Sequence, residues 1–155
     1  LIHEKLYQSK NISKIDFQEY IADLITSLFI TYGVNTDIIK SEIEARGIHF
    51  DINTAIPCGL IINELISNCL KHAFPPGRSG KVRVCLYPAG EGRFTLAVSD
   101  DGIGLPEDFD FRNTGTLGLK LVNALTGQLN GDIELDSDTG TTFKITFSEL
   151  KYKSA

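Results

Sequence analysis

The sequence has no tryptophan, no methionine, only three cysteines and no long apolar run. Cys58, Cys69 and Cys85 form an odd set with no C-x-x-C pair and no histidine at zinc-finger spacing. Neither a disulfide framework nor a structural metal is indicated, and the three read as reduced core residues. No stretch approaches the ~20 apolar residues of a membrane helix, and nothing has the layout of a secretory signal peptide, so a cytoplasmic location is expected. A basic surplus is also missing. With 15 Lys+Arg against 20 Asp+Glu, the net charge is -5 and the pI near 5.1. This argues against a general nucleic-acid or anionic-membrane binder, and any phosphate site has to be local. The lack of methionine, with Leu1 as first residue, leads to the expectation that the chain is a piece of a longer protein.

What is present fits one globular domain: 155 residues, 42% hydrophobic and 23% charged, enough to bury a continuous core. Leu1 to Ser9 read as the end of a helix, and "SKNISKI" is a polar break after it. The clearest helix follows. Asp16 and Glu19 have capping-box spacing, Phe17, Tyr20, Ile21, Leu24, Ile25, Leu28 and Phe29 recur at three and four, and Gly33 stands in the C′ position. "DIIKSEIEA" and "IHFDI" read as strands, and Pro57 suits the first turn of a second helix that Pro75 and Pro76 end. "KVRVCLY" and "RFTLAVS" alternate around "PAGEG", and "DIELD" and "TFKITF" flank "SDTG", giving two hairpins with a helix from about Leu117 to Leu125 between them. This order predicts an α/β two-layer sandwich: a mixed, largely antiparallel sheet covered on one face by about three helices.

Four short stretches carry chemistry. In "NELISNCLKHAF", Ile62, Leu65, Ile66, Cys69, Leu70 and Ala73 gather on one side of a helix, while Glu64, Asn68, Lys71 and His72 share the other. A solvated outer face is the plain alternative. "VSDDGIGLP" puts Asp100, Gly102 and Gly104 where a hydrophobic strand ends, either a site platform or an acidic turn. "TGTLGLKLV" puts Gly115 and Gly118 before a helix, where backbone N–H groups and the helix dipole can cradle phosphate without a basic surface. "TGTTF" places Gly140 and Thr141 in the last hairpin. Walker and Rossmann spacings are both absent.

In this order and at these intervals, the four stretches resemble the N box and glycine boxes of the ATP-binding domain of sensor histidine kinases, over roughly Ile15 to Leu150. The closest likeness is to the subfamily with a Glu in the N box. That fold, of the Bergerat type, is shared with gyrase-type and mismatch-repair ATPases and a heat-shock chaperone. The resemblance implies Asn68 as the side-chain ligand of Mg²⁺ on the phosphates, an amide oxygen suiting a hard ion that takes few protein ligands. It implies Lys71 and His72 along the phosphates, Asp100 accepting from the adenine amine with Thr141 beside it, and Gly102 and Gly104 lining the base pocket. Gly118, Leu119 and the amides beside them meet the phosphates, and Pro106 to Thr116 form a lid. Two departures stand out: Thr114 and Thr116 replace glycines frequent in the family, and Glu64 matches the water-activating Glu of the ATPases.

The domain division that follows is 1–15 as the end of a dimerisation helix with its linker, 16–150 as the ATP-binding domain and 151–155 as a tail. The implied function is donation of the ATP γ-phosphoryl group to a histidine outside this chain, with a response-regulator receiver domain downstream and the fragment itself monomeric or weakly dimeric. Glu64 and Asn68 are the catalytic candidates. A stand-alone ATPase with Glu64 as base, and a nucleotide switch that hydrolyses nothing, are the alternatives. His3, followed by Glu4, imitates a phospho-acceptor pair, but its helix is too short, which places the true acceptor upstream.

Overall fold

A computed structural model describes residues 14–105, 116–137 and 139–150. All of the expected dimerisation segment and linker but Lys14 and Ile15, the tail, and all of the expected lid but Thr116 lie outside the described residues.

The chain begins with β1 (Ile15–Asp16) and α1 (Phe17–Thr31). Asp16 caps α1, its carboxylate accepting from the Gln18 N–H at 3.1 Å and the Glu19 N–H at 3.5 Å. The seven apolar residues read from the sequence are the seven buried ones. Gly33 sits at C′ with φ +63°, and the N–H groups of Gly33 and Val34 return to the carbonyls of Ile30 and Phe29, a Schellman ending. Burying seven large side chains at ~1.5–3 kcal/mol each outweighs the ~1 kcal/mol of a cap, so packing holds this helix.

β2 (Ile39–Glu44) and β3 (His49–Phe50) lead into α2 (Ile52–Asn68), followed by a π-helical turn, Cys69–Ala73. Here the structure departs from the sequence reading. α2 starts at Ile52, not near Pro57, because Asp51 ends β3 and caps the helix, accepting from the N–H groups of Asn53 at 3.0 Å and Thr54 at 3.3 Å. Pro57 lies inside α2. The hydrogen bond it forgoes is one of the first in the helix, near the end where a proline is tolerated best.

β4 (Gly80–Pro88), β5 (Arg93–Asp100), α3 (Leu117–Gln128), β6 (Asp132–Asp136) and β7 (Thr141–Ser148) complete the fold. The main sheet has the order β2-β4-β5-β7-β6, and only β2 and β4 run parallel. Period-two alternation puts Val82, Val84, Leu86, Leu96, Val98, Ile145 and Phe147 on the buried face. The opposite face carries pairs such as Lys81–Glu42 at 2.9 Å and Arg83–Glu44 at 3.1 Å. Three helices therefore cover one side of a mixed, mostly antiparallel sheet, as the sequence order predicts. Among the described residues no helix is long and apolar enough to cross a membrane.

Candidate functional site

The end of α2 supplies one wall of a cleft. The π-helical turn buries Cys69 and Ala73, while Asn68, half-buried, and His72, exposed, both line the cleft. Lys71 points elsewhere, its ammonium 5.8 Å from the centre of the Tyr32 ring. A hydrogen bond with the Ser67 hydroxyl, helped by the Lys71 charge, lowers the pKa of the Tyr32 phenol. The Ala73 carbonyl, left over at the helix end, accepts from the Ile103 N–H at 3.0 Å.

The floor comes from the sheet. Asp100 ends β5 and stands in register opposite Thr141, the first residue of β7. Asp100 is only 6% exposed, and both its oxygens are held: Oδ1 accepts from the Gly102 N–H at 2.9 Å and Oδ2 from the Cys69 thiol at 3.2 Å. Burial, reinforced by the Asp100 carboxylate, pushes the Cys69 thiol well above its ordinary pKa, so sulfur keeps its proton and acts as donor. The neighbouring acid does different work. Asp101 faces away and ties the loop together, accepting from the Lys81 N–H through Oδ1 and from Arg78 through its carbonyl, both at 2.8 Å.

Two glycines make this geometry sterically feasible. A Cβ on Gly102 would collide with the Ala73 carbonyl, and one on Gly140, at φ +83°, would collide with the Asp100 carbonyl. Gly102 thus packs the strand end beneath the π-helical turn, and Gly140 lets the last hairpin ride over the Asp100 backbone.

The cleft encloses about 250 Å³. Of the residues expected at a site, it brings together Asn68, His72, Asp100, Gly104, Leu119 and Thr141. Glu64, Lys71, Gly102 and Gly118 stand behind or beside its walls: the Glu64 carboxylate lies against Gly118 in the first turn of α3. Thr116, expected at the end of the lid, also lines it, as do Leu65, Cys69, Ala73, Leu105 and Phe143, to which the sequence reading gave no site role, treating Cys69 as core. Spacing held the signal for some. Phe143 is two residues beyond Thr141 on the same strand face, and Leu65 lies one turn before Cys69.

A mainly apolar slot with one buried carboxylate suits a flat heterocycle that offers an N–H donor. At the other end, the start of α3 has N–H groups with no partner within the helix, and the Thr116 side chain does not cap it. No three His, Cys, Asp or Glu side chains cluster to hold a metal among the described residues. The Asn68 amide fits a magnesium ion that draws its remaining ligands from phosphate and water.

Comparison with known proteins agrees with the fold. The model of the histidine kinase-, DNA gyrase B- and HSP90-like ATPase family matches residues 53–151, and a second model, described as histidine kinase, matches residues 1–32. Blue-light-activated histidine kinase 2 of Erythrobacter litoralis is 33% identical over 108 residues, 69% of this chain and 31% of the relative. Sensor histidine kinase PdtaS of Mycobacterium tuberculosis is 27% identical over 135 residues, 86% of this chain and 26% of the relative. The chain thus spans a third or less of these curated relatives. The solved histidine kinase domain of an Erythrobacter litoralis blue-light-activated histidine kinase superposes with a TM-score of 0.82 at 25% identity, covering 96% of this chain and 70% of that one. By fold and sequence, the chain belongs to the histidine kinase-, DNA gyrase B- and HSP90-like ATPase family, as a domain of the histidine kinase type.

Proposed function

We propose that this domain binds Mg²⁺·ATP in the cleft and gives the γ-phosphoryl group to a histidine on the dimerisation and phospho-acceptor helices of its own parent protein, from which a response-regulator receiver domain takes it. The observation that carries this reading is the buried Asp100, opposite Thr141 and in the same cleft as Asn68. Asp100 accepts from the exocyclic amine of adenine, and Leu65, Ala73 and Phe143 enclose the base. Asn68 and His72 stand toward the phosphates with the start of α3. Asn68 would hold part of the shell of a magnesium ion, which would supply charge neutralisation when bound. The acceptor imidazole nitrogen forms the new bond to phosphorus as the bond to the bridging oxygen breaks. ADP leaves with that electron pair, and the imidazole proton goes to solvent. The protein's share is positioning and electrostatics, the usual division in phosphoryl transfer.

The test is incubation of this chain with γ-labelled ATP and the upstream segment of its parent. Acid-labile phosphate on the added segment, and none on this chain, is the expected result. Label on this chain that disappears in His3→Ala would move the acceptor inside it. Release of inorganic phosphate with no labelled histidine would replace the kinase reading with a hydrolytic one.

A further inference from the structure

Asp100 is one half of a pair. Cys69 directly follows Asn68, opens the π-helical turn, is nine-tenths buried and yet lines the cleft. Its thiol donates to Oδ2 while the Gly102 N–H donates to Oδ1, so the two donors hold the two oxygens of one carboxylate. A carboxylate held at one oxygen can swing about its last torsion, whereas one held at both has its plane fixed before any ligand arrives. The remaining lone pairs then face the cleft in a set direction.

Resting on the reading of the cleft as an adenine site, we propose that Cys69 is a positioning residue for base recognition. Its thiol fixes the Asp100 carboxylate in the orientation that accepts an exocyclic amine, and thereby sets the preference for a 6-aminopurine over a 6-oxopurine nucleotide. A fixed acceptor-only group faces an amine hydrogen in the first and a carbonyl oxygen in the second, which it repels. A loose carboxylate turns away from that oxygen or admits a water between, and the discrimination falls. Cys58 provides an internal control, since it is fully buried in α2 but does not line the cleft.

The experiment is calorimetric titration of the protein with Mg²⁺·ATP, Mg²⁺·GTP and magnesium tripolyphosphate. The variants are Cys69→Ala, Cys69→Ser and Cys58→Ala, with thermal unfolding run alongside. Cys69→Ala is expected to lower the ATP-to-GTP affinity ratio about three- to tenfold, the scale of one modest hydrogen bond, with tripolyphosphate affinity unchanged. Cys69→Ser, which restores a donor, keeps the wild-type ratio, and Cys58→Ala alters stability without altering the ratio. An unchanged ratio in Cys69→Ala, or an equal loss in the Ala and Ser variants, would overturn the proposal and leave the adenine site standing. Wild-type protein that takes ATP and GTP equally would overturn both.

Discussion

The Glu64 carboxylate lies against Gly118, so that a Cβ at Gly118 would stand 2.6 Å from Oε2. The obstructing atom ends a flexible side chain and can retreat. In Gly118→Ala, a strain of about 1 kcal/mol is set against a helix-propensity gain of up to about 1 kcal/mol. Stability is therefore expected to stay nearly constant in urea titrations, while ATP affinity falls because the methyl group and the displaced carboxylate crowd the start of α3. Unchanged ATP affinity with the wild-type melting curve would remove Gly118 from the phosphate end of the cleft.

The same contact bears on hydrolysis. Glu64 packs beside α3 and does not line the cleft, so among the described residues no carboxylate is placed there as a base for an attacking water. ATP turnover by the isolated chain should be far below about 1 per second, and Glu64→Ala should leave it unaltered. Faster turnover that vanished in Glu64→Ala would establish the stand-alone ATPase.

Asn68 and Asp100 are expected to fail differently. Asp100→Ala removes a charged acceptor and should weaken ATP about ten- to a hundredfold while leaving GTP affinity no lower, since the repulsion of its 6-oxo oxygen is relieved. Asn68→Ala should leave base preference intact and abolish most of the gain in affinity that Mg²⁺ brings. Calorimetry with and without EDTA separates the two, and identical profiles for the variants would sink the division of roles.

Alkaline pH provides a test of the core. Burial, with Cys58 nearby, pushes the Tyr20 phenol up to about 12, and burial also raises the Cys58 and Cys69 thiols. A group whose folded pKa lies above its unfolded value contributes fully below the unfolded pKa and loses that contribution as pH rises toward the folded one. Stability should thus begin to fall near pH 9 through the thiols and fall further from about pH 10 to 12 through Tyr20. Urea midpoints of Tyr20→Phe should decline less steeply over that upper interval, and a parallel decline would show that the phenol contributes nothing.

Legibility in the sequence followed the range of the forces involved. α1 was readable down to its seven buried residues because its cap, its period and its closing glycine are local and agree. The two hairpins were readable for the same reason. The start of α2 was not: Asp51-Ile52-Asn53 continues a β-like alternation, and Pro57 offers a more obvious first turn, yet pairing of β3 with β1 ends the strand at Phe50 and frees Asp51 to cap. The parallel pairing of β2 with β4 leaves no local trace either. At the site, motif order pointed to Asn68 and Asp100, which the structure brings to one cleft. The hydrogen bond of Cys69 to Asp100 left no local trace, because its partners lie 31 residues apart.

β5 and β7 are neighbours in the sheet but not in the chain, since α3 and β6 lie between them. The hairpins β4–β5 and β6–β7 close through short turns, whereas bringing Asp100 opposite Thr141 closes a much longer loop at greater entropic cost. The floor of the cleft therefore exists only once the two hairpins are paired through β5 and β7. Neither hairpin alone holds half a site in working shape. A ligand that needs this floor therefore binds, and stabilises, only chains in which β5 and β7 are paired.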